Sequence, residues 1–118
     1  MIFEIKQRYP VQIGEPDGYF ITLVGCGGTG SFLVLHLARL AYHLQERQGI
    51  RLNLLFVDPD IVEAKNIGRQ NFCPAEIGAK KAWTLAQRFN AAFGLDIHAA
   101  AAPFAADLLG SPHGHPFR

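Results

Sequence analysis

This sequence of 118 residues has few cysteines and almost no net charge. The two cysteines, Cys26 and Cys73, lie in different kinds of segment and form neither a zinc-binding pair nor a disulfide framework. A formal net charge of +1 offers no electrostatic surface for nucleic acid or for an acidic membrane. The longest apolar stretch, residues 31–44, is interrupted by arginine and histidine and is too short to span a bilayer.

The first residues show no basic region followed by an apolar one, so we do not expect a secreted protein. We therefore expect a cytoplasmic protein of one domain, residues 1–118, long enough to build an ordinary core. Residues 99–118 are rich in alanine and then in glycine, proline and histidine, so we expect a loosely ordered tail. His113 and His115 have no carboxylate or cysteine nearby, and we predict no metal site.

The rest of the sequence alternates between strand and helix patterns. Two apolar runs, Tyr19–Val24 and Leu52–Val57, predict buried strands, and a short strand is expected over 96–99. Apolar residues recur at helical spacing over 28–48 and 78–93, and a glycine follows each stretch. This order predicts an α/β fold: a Rossmann-like parallel sheet with helices on both faces, truncated to roughly its first half.

A glycine-rich loop connects the first strand to the first helix. Residues 25–30, GCGGTG, match G-x-G-x-x-G through Gly25, Gly27 and Gly30, and Gly28 adds a further glycine. One glycine permits a tight turn, one lets the backbone approach phosphate, and one lets helix and strand pack closely. A glycine-rich turn without a ligand is the alternative. The strand before the loop and the helix after it favour a nucleotide-phosphate site.

Asp58 follows the second strand directly. A carboxylate at this strand end accepts hydrogen bonds from ribose hydroxyls in dinucleotide-binding folds, although the spacing from the loop is longer here than in the common fingerprint. A solvated Asp58 in an Asp-Pro turn is the alternative. For Asp60, the alternative that its side chain caps the following turn stays open.

The connection after the second strand carries residues that a nicotinamide-binding fold does not need. Asn66 and Arg69 stand in the run NIGRQNF, and Lys81 stands in the run IGAKKA. An enzyme that reacts with ATP has to neutralise triphosphate charge, and arginine and lysine can do so. Solvated surface charges are the alternative interpretation.

These motifs, in this order, resemble the ThiF/MoeB/HesA family and its ubiquitin-activating relatives. That family combines a glycine loop, an Asp-x-Asp after the second strand, an N-x-x-R-Q segment and a G-x-x-K-A segment, and the match covers about residues 19–98. The runs at 68–70, 78–82 and 90–96 together are most similar to the ThiF-like proteins of bacterial PRTRC gene clusters.

The resemblance implies an ATP-binding protein that adenylates the C-terminus of a small ubiquitin-like or sulfur-carrier protein, with ATP and Mg²⁺ as cofactors. By this resemblance the loop glycines hold phosphate, Asp58 binds ribose, and Asn66 contacts the triphosphate. Arg69 and Lys81 are the implied catalytic residues, which also contact ATP and stabilise charge at the α-phosphorus. Lys81, and not Lys80, is in register with the family lysine.

Other parts of the family pattern have no counterpart in this sequence. Asp107 comes too early to be the magnesium aspartate, and Cys73 lies in the connection, away from the position of a thioester cysteine. Whether the chain is an enzyme by itself therefore stays open. Without a fourth strand the first strand becomes an unpaired edge, so we expect a homodimer or a cover formed by residues 2–7.

Two further functions stay open beside adenylation. An NAD-binding oxidoreductase would use the glycine loop and Asp58, but it leaves the segments 66–69 and 78–81 unexplained. A non-catalytic interaction module would keep the fold and lack the chemistry. Selective binding of ATP, selective binding of NAD, or no nucleotide binding discriminates among the three.

Overall fold

The fold comprises a small parallel sheet and two α-helices. The computed structural model describes residue 10 and residues 18–109. Three short 3₁₀ helices complete the described part, at Ala64–Asn66, Pro74–Glu76 and Ala106–Leu109. The strands are β1 (Gly18–Val24), β2 (Arg51–Val57) and β3 (His98–Ala100), and the helices are α1 (Gly30–Gln48) and α2 (Lys81–Phe93).

The three strands form one parallel sheet in the order β1-β2-β3. The register places Val24, Val57 and Ala100 in one row at the carboxyl ends of the strands. The loops that leave β1, β2 and β3 therefore start at the same edge, which we call the carboxyl edge. This arrangement confirms the predicted Rossmann-like α/β fold and brings the glycine loop close to the connection that follows β2.

Both α-helices pack on the same face of the sheet. One core cluster joins Val34 and Ala38 of α1, Leu54 and Phe56 of β2, and Leu85 of α2, all buried. Two right-handed crossovers that step in the same direction, from β1 to β2 to β3, place their helices on one side. Within residues 18–109 the second face therefore carries no α-helix, where we expected helices on both faces.

The predicted ends of the helices are confirmed, but the start of α2 differs. Gly49 and Gly94 close the two helices in the left-handed conformation, each with φ of 64°. We expected the second helix to begin at Gly78, and it begins at Lys81. Gly78 has φ of 93° and donates its N–H to the Val62 carbonyl, so the backbone before Lys81 pairs with the connection instead of continuing the helix.

The described residues include both outer strands of the sheet and part of the expected tail. Among these residues β1 forms one edge of the sheet and β3 forms the other, and the predicted cover of β1 by residues 2–7 lies outside them. β3 begins two residues later than predicted and ends at Ala100. The expected tail over 99–118 contains the end of β3 and a 3₁₀ helix, and its residues 110–118 lie outside the described part. No helix of the described residues is long and apolar enough to cross a membrane.

Candidate nucleotide site at the carboxyl edge

Two glycines of the loop are required by the fold itself. Gly25 has φ of 95° and donates its N–H to the carbonyl of Val57 at 2.8 Å. A Cβ atom on Gly30 would lie 1.9 Å from the carbonyl oxygen of Gly25. Because that distance is far inside van der Waals contact, only glycine lets the first turn of α1 pack this closely on the end of β1.

The other two glycines leave room that residues 18–109 do not fill. A Cβ on Gly28 would meet no heavy atom of these residues within 4 Å, and a Cβ on Gly27 would lie 3.6 Å from Nε2 of Gln70. Neither residue has a positive φ. In the described part of the chain, the N–H groups at residues 28–30 have no backbone acceptor. Unpaired N–H donors at a helix N-terminus, beside an open surface, are a binding site for an anion.

Asp58 fastens the glycine loop to the end of β2. Its carboxylate is buried, and Oδ2 accepts the N–H of Cys26 at 2.7 Å while Oδ1 accepts the N–H of Asp60 at 2.7 Å. Asp58 thus lies at the predicted strand end, with both oxygens already bonded to backbone. Asp60 is exposed, so of these two carboxylates it is the one that solvent reaches freely.

A small cavity beside Asp60 contains the predicted lysine. It measures about 170 Å³ and is lined by Asp60, Ile61, Glu63, Lys65, Asn66 and Lys81. Lys81 is the first residue of α2 and is only 6% exposed, and its ammonium has no ion-pair partner among the residues described. Its neighbour Lys80 is exposed and lies 4.3 Å above the ring of Trp83. The two adjacent lysines therefore have different surroundings, and Lys81 is the one in the cavity.

Asn66 and Arg69 occupy one tight turn of the connection. Asn66 is buried, and its Oδ1 accepts the N–H of Glu63 at 2.8 Å. The carbonyl of Asn66 accepts the N–H groups of Arg69 and Gln70 at 3.1 and 2.9 Å. The Arg69 side chain is exposed. Asn66 and Lys81 thus line one cavity, while Arg69 leaves the same turn into solvent.

Cys26 is a packing residue of the loop. Burial first, and the charge of Asp58 second, raise the pKa of its thiol to about 12, although the charge of Lys81 acts in the opposite direction. The side chain is fully buried. A thiol with so high a pKa is protonated at neutral pH and is a poor nucleophile.

Gln70 is a site residue whose role does not follow from the sequence motifs alone. Its Nε2 faces the glycine loop at Gly27, and its Oε1 is buried and has no hydrogen-bond partner among the residues that the structure describes. An unpartnered buried oxygen is unusual in a folded protein and marks a place where a donor is missing. The signal in the sequence is its position directly after Arg69 in the N-x-x-R-Q segment.

The arrangement suits a nucleotide phosphate better than a bare metal ion. Free N–H donors, open space at Gly28 and the buried ammonium of Lys81 all favour a polyanion. Among residues 18–109 no group of three histidine, cysteine, aspartate or glutamate side chains is placed to hold a metal ion. Any magnesium at this site would therefore depend on the ligand's own oxygens for most of its coordination.

Solved structures share this fold at low identity. TcdA of E. coli, a tRNA N6-threonylcarbamoyladenosine dehydratase crystallised with AMP, superposes with a TM-score of 0.60 at 22% identity over 77% of this chain and 34% of its own. PaaA gives 0.61 at 23% identity over 79% and 28%. MccB of E. coli, crystallised with ATP, gives 0.58 at 21% identity over 80% and 26%.

These likenesses define the fold, and the family follows from a separate match. The chain spans about a third or less of the length of the three solved proteins. No curated protein is significantly similar to it. Residues 18–108 match the model of the ThiF family, and this stretch contains the whole sheet, both α-helices and the connection. Because the match covers most of the sequence, the chain belongs to the ThiF family.

Proposed function

We propose that this chain binds ATP at the carboxyl edge and provides the nucleotide-binding part of an adenylation site. The observation that carries the proposal is the loop at 27–30, whose free N–H groups lie beside open space at Gly28. A polyanion at that position gains hydrogen bonds and the favourable end of the α1 dipole without displacing any side chain.

Each residue has a role in this proposal. The loop glycines bind phosphate through their N–H groups, and Asn66, Arg69 and Lys81 contact the triphosphate, with Arg69 and Lys81 stabilising negative charge in the transition state. Asp58 holds the loop in place, and the ribose interaction that we expected of it passes in part to the exposed Asp60. Magnesium, when bound with ATP, supplies further charge neutralisation.

The proposed reaction joins a carboxylate to the nucleotide. An oxygen of the C-terminal carboxylate of a small ubiquitin-like or sulfur-carrier protein attacks the α-phosphorus of ATP. A bond forms between that oxygen and phosphorus, the bond from the α-phosphorus to the bridging oxygen breaks, and pyrophosphate leaves with that electron pair. Positive side chains at Arg69 and Lys81 stabilise the additional charge on the phosphoryl oxygens as the reaction proceeds.

The solved neighbours support ATP and a protein or peptide substrate. TcdA has been crystallised with ATP and with AMP, and MccB with AMPCPP together with MccA. Likeness to the PRTRC proteins, a cytoplasmic location and a homodimer stay predictions. The NAD-binding and interaction-module alternatives have no observation of this kind in their favour.

Replacing Gly28 tests the proposal at the point where the fold is least affected. We expect the wild-type chain to bind ATP with magnesium in calorimetric titration, and Gly28→Glu to weaken that binding by about 100-fold or more, since like charges in contact cost several kcal/mol. The protein has room for this side chain, so thermal stability should be nearly unchanged.

The matched control carries the same charge change at a distance. Ala91→Glu places a carboxylate on the exposed surface of α2 and should leave ATP affinity within about twofold of the wild type. NAD serves as the competing nucleotide. A wild-type chain that binds NAD and not ATP, or a Gly28→Glu variant that binds ATP normally, would contradict the proposal.

A further inference from the structure

The connection that carries Arg69 has little regular structure of its own. Between Asp58 and Lys80 it contains two 3₁₀ helices of three residues each. Its ends are tied to one another, since Val62 donates its N–H to the Ala79 carbonyl at 2.8 Å and accepts from Gly78 at 2.8 Å. These bonds close the connection as a loop, but they do not fix the position of its middle, near Arg69, relative to the glycine loop.

The middle of the connection is bonded to the first turn of α1 through Asn71. The N–H of Asn71 donates to Oγ of Ser31 at 3.0 Å, and its Nδ2 donates to the Ser31 carbonyl at 2.9 Å. Ser31 directly follows Gly30 and is completely buried. These two hydrogen bonds therefore set the distance between the segment after Arg69 and the start of α1, which forms the phosphate site.

Arg88 of α2 holds Asn71 from the other side. Its Nη1 and Nη2 each donate to the Asn71 carbonyl at 3.1 Å, and Nη2 also lies 2.7 Å from both carboxylate oxygens of Glu76. Oε1 of Glu76 accepts the N–H of Cys73 at 2.9 Å. A planar guanidinium with several donors can satisfy a carbonyl and a carboxylate together, whereas lysine cannot. Residues 71–76 are thus bonded to both helices.

The hydrogen-bonded cluster of Ser31, Asn71, Glu76 and Arg88 restrains two residues that come just before Asn71 in the chain. Arg69 and Gln70 lie two positions and one position before Asn71, respectively, and the Nε2 of Gln70 faces Gly27. A displacement of about 1 Å in a group that contacts the reacting atoms is enough to lower a rate or an affinity strongly. Packing alone does not need these polar bonds, because the buried Phe72 already anchors the segment to the core.

We propose that Asn71 and Arg88 are positioning residues of the ATP site, which hold the backbone segment of Arg69 and Gln70 beside the glycine loop through Ser31. The inference rests on the proposed function and assigns to this cluster a task in ATP binding beyond fold stability. In this proposal neither Asn71 nor Arg88 contacts the nucleotide. Asn71 acts through the backbone of its own segment, and Arg88 acts through Asn71.

Hydrogen exchange of the ligand-free chain tests the structural half of the inference. Asn71→Ala and Arg88→Lys each remove bonds from the cluster, so amide exchange at residues 69–72 should accelerate by about fivefold, the equivalent of one net hydrogen bond. The control is Asn90→Ala on the same helix, which removes two hydrogen bonds to Ile97 at 3.1 and 2.6 Å. Exchange at 69–72 should be unchanged in that control.

ATP affinity tests the functional half. We expect Asn71→Ala and Arg88→Lys to weaken ATP binding by about tenfold, and the further effect of Arg69→Ala to shrink in either background, because a misplaced arginine has less affinity to lose. Asn90→Ala should lower thermal stability and leave the dissociation constant within about twofold of the wild type.

The two proposals fail in different ways. Absence of ATP binding by the wild-type chain overturns the proposed function, and exchange then still decides whether Asn71 and Arg88 hold the segment. Normal ATP affinity in both cluster variants, or full additivity with Arg69→Ala, overturns the positioning role while the proposed function stands. Unchanged exchange at 69–72 overturns it as well.

Discussion

The two ends of the parallel strands, the amino edge and the carboxyl edge, differ in cavity size and in chemistry. Cavity size favours one of them as the functional site, and chemistry favours the other. The amino edge, where β2 and β3 begin, has a cavity of about 480 Å³, lined in part by Arg51, Asp96 and His98. The carboxyl edge has the glycine loop and a cavity of about 170 Å³. Size alone would select the amino edge as the functional site.

Helix polarity leads to the opposite choice. Gly49 and Gly94, which end α1 and α2, both line the larger cavity, so the carbonyl ends of two helices face this region. Those ends carry partial negative charge. The carboxyl edge instead receives the N-termini of the same helices, with free N–H groups in the loop and Lys81 at the first position of α2. An anion therefore belongs at the edge with the smaller cavity.

The largest expected effect is a difference in stability between substitutions at two glycines of the loop. Gly30→Ala should lower the free energy of unfolding by about 3 kcal/mol or more, because its Cβ overlaps backbone that cannot move aside easily. Gly28→Ala should change it by less than about 1 kcal/mol. Urea denaturation of the two variants measures the difference. Equal stabilities would mean that the close approach of α1 to β1 is not as described.

The second prediction compares one basic residue from each edge. Lys81→Met keeps the buried aliphatic stem and removes the charge, and we expect ATP affinity to fall by about 10- to 100-fold, as for loss of a charged hydrogen bond. Arg51→Met, at the amino edge, makes the same change in net charge and should leave affinity within about twofold. Similar losses in both variants, measured by calorimetry, would point to a general charge effect and against a site at Lys81.

Local patterns predicted most of the fold. The strands and helices follow from apolar periodicity, and Gly49 and Gly94 end the helices where the sequence indicates. The glycine loop was recognisable because its residues are contiguous. The predicted start of α2 at Gly78 was wrong because Gly78 pairs with Val62, and helical periodicity contains no information about that contact.

The site was less predictable because its contacts are distant in sequence. Asp58 stands at the expected strand end, but its bond to Cys26 spans 32 residues and gives its carboxylate a structural task. The bonds of Asn71 to Ser31 span 40 residues, and no short motif encodes them. Only the register of a family motif separates Lys81 from Lys80 in the sequence, whereas the structure distinguishes them by burial, since Lys81 is buried and Lys80 is exposed.

The smallest predicted effect concerns pH and the ion pair that supports the carboxyl edge. Burial alone would raise the pKa of Glu76, but hydrogen bonds from Arg88 and Cys73 outweigh it and hold the pKa below its ordinary value. A carboxylate with a lowered folded-state pKa stabilises the protein fully above its unfolded pKa of about 4.3, and this contribution is lost as the pH falls through the folded value.

Glu76→Gln should therefore lower the free energy of unfolding by about 1 kcal/mol near pH 7. The difference from the wild type should narrow as the pH falls below about 4, because the carboxylate is then protonated first in the unfolded chain and, at lower pH, in the folded protein. Glu46→Gln makes the same change on the exposed surface of α1 and should have little effect at any pH. Urea denaturation between pH 3 and pH 7 compares the three proteins. A Glu76→Gln deficit that does not narrow at all between pH 7 and pH 3 would show that the carboxylate's charge is not what stabilises this part of the connection.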